Sequence, residues 1–162
     1  MYIRSIMSIQ SITRTTPLLL IPLLIVGCSG GSGGAENGAA AELRTAREKW
    51  EKSGSENYTF HFRWQCFCIQ EYVSLVALNV EGGKVVSGSY VEGGRGLESE
   101  RLADYMPINQ LFDLIQEAID RDAHSIRAEY DPELGFPVDV YIDYDEMMAD
   151  EEKGFTIEKF VP

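Results

Sequence analysis

Histidine is scarce. His61 and His124 are the only two in 162 residues. No His-x-x-x-His or similar spacing occurs, which excludes the convergent ligand set that a zinc hydrolase requires. His61 falls on the polar side of its segment and His124 lies just past a helix, so both read as exposed surface side chains. A serine hydrolase of the Gly-x-Ser-x-Gly type is excluded as well, because the chain has no such turn. The glycines after Ser29 are followed by neither Lys-Ser nor Lys-Thr, and Gly93, Gly94 and Gly96 surround one arginine among acids. Neither stretch makes a phosphate-cradling loop. Positive charge is short: 14 Lys+Arg stand against 26 Asp+Glu. An acidic surface of that kind repels nucleic acid, so no nucleic-acid partner is expected. Long apolar runs are missing too. The longest, Pro17–Gly27, is about half of the ~20 residues that span a bilayer, so a transport role is unsupported.

That short run has a purpose of its own. Residues 1–27 carry Arg4 and Arg14, no acidic residue, and the apolar stretch PLLLIPLLIVG. A basic start, a short apolar core and small residues before a cut describe a secretory signal. The stretch Ile25-Val26-Gly27-Cys28 resembles the lipobox of bacterial lipoproteins. The resemblance implies cleavage before Cys28 and lipid on its thiol, and several acyl chains on one cysteine give a stable membrane anchor. In a Gram-negative envelope, Ser29 in place of an aspartate points to the outer membrane, facing the periplasm. Residues 28–41 are then the lipidated cysteine and a flexible Gly/Ser tether. Residues 42–162 form one domain, long enough to bury a core without staples. Without the leader's two arginines the balance is 12 bases against 26 acids, a formal −14. Cationic partners or ions are the better electrostatic fit, so an envelope protein, a peptide or a cation is the expected partner.

Periodicity organises the domain. Leu43, Ala46 and Trp50 share one side of a helix over 40–50, ended at Gly54. From Tyr58 the chain alternates strictly, with Phe60, Phe62, Trp64, Cys66 and Cys68 on one side and Thr59, His61, Arg63 and Gln65 on the other. This is a strand with one buried face. Tyr72–Val80 and Lys84–Val91 read as strands joined by the turn residues Gly82-Gly83. A polar loop follows. Pro107 then opens a helix whose stripe is Leu111, Phe112, Ile115 and Ile119. Strands are expected over 125–130, over 136–143 with Phe136, Val138, Val140 and Ile142 inward, and over 155–161. The order αβββαβββ with tight turns predicts a two-layer α+β fold: two helices on one face of a curved antiparallel sheet of about six strands.

Three cysteines are present. Lipid on Cys28 leaves the pair Cys66 and Cys68 in an oxidising compartment, which favours a disulfide. Strand geometry opposes it, because residues two apart lie about 6.6–6.8 Å from each other and a disulfide holds its Cβ atoms at ~3.5–4.5 Å. A Cys66–Cys68 bond therefore requires the strand to end, bulge or kink at Cys66. Closing about three residues also stabilises little, on the order of 1–2 kcal/mol before strain. The competing readings are two reduced core cysteines, soft-metal ligation such as Cu(I) at Cys66 and Cys68, and a redox-active pair. The acids Asp143, Asp145, Glu146, Asp150, Glu151 and Glu152 lack calcium-loop spacing and read as a solvated loop.

Taken together, Tyr58-Thr59-Phe60, Cys66-Phe67-Cys68, the Leu111-Phe112 helix, Tyr130-Asp131-Pro132-Glu133-Leu134-Gly135-Phe136-Pro137 and the late Asp150 resemble an uncharacterised family of bacterial lipoproteins that carry a domain of unknown function. The resemblance runs from about Trp50 to the C-terminus. It implies an envelope location and a small α+β domain, and it implies no activity. Pro107 stands where a capping serine or threonine is more usual, so that helix is expected to begin one residue later. The expectation from sequence is a lipid-anchored, non-enzymatic binding or structural module without a cofactor. The alternative is thiol chemistry at Cys66/Cys68, as copper binding or disulfide exchange.

Overall fold

A computed structural model describes residues 36–148 and 150–162. The leader, Cys28 and the tether up to residue 35 lie outside the described residues. The first helix, α1 (Glu36–Ser53), starts ahead of Ala40 and takes in the end of the segment read as tether. Its alanines at 39–41 favour helix strongly enough to extend it. Leu43, Ala46 and Trp50 are its buried stripe. Gly54, at a φ of 63°, ends it in the left-handed conformation that glycine adopts freely.

Three strands follow: β1 (Tyr58–Cys66), β2 (Val76–Glu81) and β3 (Lys84–Tyr90). The strand β2 begins later than Tyr72, where sequence places it, because residues 67–75 are taken up by a loop. A short helix, α2 (Ser99–Leu102), interrupts the segment read as an unbroken polar loop. The main second helix, α3 (Ile108–Asp120), begins one residue after Pro107. Pro107 is extended and offers no side-chain cap. The Tyr58 hydroxyl instead accepts from the Ile108 N–H at 3.0 Å, so a strand residue caps this helix. The chain ends in β4 (Ser125–Tyr130), β5 (Pro137–Asp143) and β6 (Lys153–Val161).

The six strands form one antiparallel sheet in the order β3-β2-β1-β6-β5-β4. First and last strands meet at its centre, with Trp64 opposite Phe155 and Cys66 opposite Lys153. Phe60, Phe62, Leu78, Val140, Ile142 and Phe155 point to the helical side and join Leu43, Trp50, Leu111, Phe112 and Ile115 in one core. Thr59, His61, Arg63, Asn79, Asp139 and Tyr141 occupy the alternate positions and stay half-exposed. The α+β, two-layer expectation is met, with α2 as an addition.

The Asp131–Gly135 reversal between β4 and β5 is built as its residue types require. Asp131 Oδ1 accepts from the N–H groups of Glu133 and Leu134 at 3.0 and 2.7 Å. Gly135 has a φ of 82°, and a Cβ there would run into the Ala46 carbonyl oxygen of α1. Only glycine lets this turn sit against the helix.

Candidate functional site

The sheet has two unlike ends. The carboxyl ends of β1, β3 and β5 and the amino ends of β2, β4 and β6 share one of them. There β1 stops at Cys66 and the chain doubles back, with the Cys68 N–H donating to the Cys66 carbonyl at 2.9 Å. The two sulfurs are at disulfide distance, 2.03 Å, with Cα atoms 5.2 Å apart. The strand therefore ends where the sequence argument requires. The core-cysteine reading is corrected: Cys66 is half-buried and Cys68 exposed at the rim, because the turn carries both off the buried face.

The turn holds apolar side chains in water. Phe67 is 85% exposed and Ile69 is 64% exposed. The rest of the loop is tied down. Tyr72 N–H donates to the Ile69 carbonyl at 2.9 Å, and Ser74 Oγ to the Gln70 carbonyl at 2.8 Å. The Arg101 guanidinium lies 3.6 Å over the Tyr72 ring and also donates to the Glu71 carbonyl at 3.3 Å. Arg95 stands over the Tyr90 ring at 4.8 Å and 3.5 Å from the Glu71 carboxylate. A cleft of about 570 Å³ opens between this loop and the end of β3, lined by Arg63, Gln70, Glu71, Ser74, Tyr90 and Arg95.

On the other side of the same end, the acidic loop between β5 and β6 exposes Met147 (88%) and Met148 (55%). Its carboxylates serve the loop itself: Asp143 Oδ1 accepts from the Asp145 N–H at 3.1 Å, and Asp145 Oδ1 from the Met147 N–H at 2.9 Å. Among the described residues no group of three His, Cys, Asp or Glu side chains is arranged to hold a metal ion. A second cleft, about 710 Å³, lies between this loop, the start of β4 and Ala39 of α1. His124 is exposed at its edge, 4.0 Å from Glu146. His61 lies on the half-exposed sheet face, in register with Lys159, so the two histidines are on different faces of the fold and do not converge.

Several tyrosines among the described residues have displaced pKa values. Burial pushes Tyr130 up to about 12, helped by Glu42 and opposed by Arg47. Burial also raises Tyr58, against the hydrogen bond from Ile108. Tyr105, packed on Phe62 with ring centroids 5.8 Å apart, is raised by burial and lowered by Arg101. These hydroxyls are held neutral by the core and belong to its packing.

Cys66 and Cys68 were reachable by sequence reasoning, and the structure brings them together. The surrounding features were not. Ile69, Met147, Glu71 and Arg95 lie on loops with no periodicity to read, and the alternation continued through Cys68 hides the turn that exposes Phe67. The one available signal was Met147-Met148, two large apolar residues in an acidic run with no partner at strand or helix spacing.

Residues 42–162 match the model of a family of unknown function, DUF6174. No curated protein and no solved structure matches the chain.

Proposed function

We propose that this chain, which belongs to the DUF6174 family of unknown function, is an exported lipoprotein whose domain is a non-enzymatic binding module used at its disulfide end. The observation that carries the binding role is the Cys66–Cys68 turn, which holds Phe67 and Ile69 out in water. Scattered exposed apolar residues need no explanation. Here Phe67, Ile69, Val91, Met147 and Met148, five of the seven large apolar residues left exposed among the described residues, come from three loops at one end of the sheet. A concentration of that kind marks an interaction surface.

Export and anchoring are supported by the leader at 1–27 and by Cys28 after Ile25-Val26-Gly27. The test is metabolic labelling with radioactive palmitate and fractionation of Cys28→Ala. Label should enter the parent and not the variant, and the variant should leave the membrane fraction. Equal membrane retention of both proteins overturns the anchor.

Thiol chemistry is the second reading, favoured by the exposure of Cys68, which leaves the bond open to attack from solvent. Alkylation with and without reductant, with a measurement of bound copper, separates the two. A pair that resists mild reductant and binds no copper supports the binding module. Stoichiometric copper, or reduction at ordinary glutathione poise, supports thiol chemistry.

A further inference from the structure

We propose that the disulfide end is the face the domain sets against the lipid bilayer, with Phe67, Ile69 and Met147 entering the boundary of zwitterionic headgroups. This seat presupposes the lipid on Cys28 proposed above and adds an orientation to it.

Position in the fold is the first support. Phe67 and Ile69 follow β1, and Met147 follows β5, the two strands that flank β6. Neighbouring strands lie ~4.8 Å apart, so the two loops leave the sheet about 10 Å from each other. Apolar tips so spaced can enter one interface together.

The second support is where the chain joins the domain. Ala39, near the start of α1, lines the cleft formed with Ile126, Tyr144 and Met147, which is the apolar end. Trp50, near the end of α1, packs against Tyr58, Phe136 and Phe160 at the opposite end. The tether therefore joins at the same end as the tips. Seven residues, 29–35, separate Cys28 from Glu36, and the covalent path between them reaches at most about 28 Å. A lipid at Cys28 keeps these tips at high effective concentration near the bilayer, so they need little affinity of their own.

Charge selects the lipid. Asp143, Asp145, Glu146, Asp150, Glu151 and Glu152 flank Met147 and Met148, and they repel anionic headgroups within a Debye length, about 8 Å at physiological salt. Zwitterionic phosphatidylcholine or phosphatidylethanolamine carries no such penalty.

The test uses the full lipidated protein in vesicles of phosphatidylcholine or of its brominated form, which quenches tryptophan on contact. Phe67→Trp and Met147→Trp place a reporter at the seat. Val161→Trp places one at the far end, on another exposed residue. Each is read as the emission added to the parent, which contributes Trp50 and Trp64. Brominated lipid should remove most of the added emission at 67 and 147 and leave that at 161 intact. Anionic lipid mixed into the vesicles should weaken the effect. Equal quenching at all three positions, or none at any while the protein stays vesicle-bound, overturns the seat and leaves the anchor standing. Protection of 67 and 147 from aqueous iodide without quenching by lipid also overturns it, and assigns this end to a protein partner or a second copy. Loss of the anchor itself is read separately, by vesicle binding of Cys28→Ala.

Discussion

At the far end of the sheet, Trp50 stands edge-on to Tyr58, Phe160 and Phe136, with ring centroids 5.3, 5.7 and 6.3 Å away. Its indole N–H donates to Asn109 Oδ1 at 2.7 Å. At the disulfide end, Phe67 touches little and lies in water. The two residues are of similar kind, and their surroundings differ because of what the local backbone does. The far end closes with the Asp131–Gly135 turn, which lets Phe136 fold in beside α1. The other end closes with a turn so short that its middle residue has nowhere to point but outward. Burial holds one end together, and the other end leaves Phe67 and Ile69 in water.

The largest effect expected from that contrast is at Trp50. Trp50→Ala removes the centre of a buried aromatic group and should cost about 3–5 kcal/mol. Urea unfolding checks it, as a lowered midpoint at unchanged slope. A loss below about 1 kcal/mol would mean the far end is not a packed core, and the contrast between the ends would fall.

Much of this asymmetry was legible in the sequence where one face is buried. The alternation from Tyr58 to Trp64 and the α3 stripe follow from a two-layer fold, since each element meets the core on one side and water on the other. The Asp131–Gly135 turn was legible for a local reason: Asp131 caps its own loop, and Gly135 supplies the positive φ. What was not legible depends on tertiary context. The sequence places Tyr72 at the start of β2, yet it sits under the Arg101 guanidinium in a loop. The helix α2 is four residues long, too short to show a period of 3.6. The clustering of Phe67, Ile69 and Met147 at one end follows from strand order, with β6 lying between β1 and β5. The linear chain does not display that order.

A smaller effect is expected at the disulfide. The double variant Cys66→Ser/Cys68→Ser opens a loop of about three residues, whose closure accounts for on the order of 1–2 kcal/mol. The same urea experiment, with parent and variant compared without reductant, measures it. The expected result is a modest drop with the far end untouched. Limited proteolysis should then cut first within 67–75, because the pinned turn is what shortens that loop. A loss equal to that of Trp50→Ala would show that the bond holds the core, and the two ends would no longer be distinct in kind.

The smallest effect on stability is expected at Phe67. Its side chain is 85% exposed in the folded protein and exposed again on unfolding, so Phe67→Ser changes little apolar area between the two states. The shift should stay within about 0.5 kcal/mol. Phe62, five positions earlier and fully buried, makes the internal control, with Phe62→Ala expected to cost about 3–5 kcal/mol. A large loss at Phe67 would mean that it packs on the loop and is structural. A negligible loss shows that packing within the fold does not hold Phe67 in place. On the proposed bilayer seat, the same Phe67→Ser variant differs from the parent only when vesicles are present.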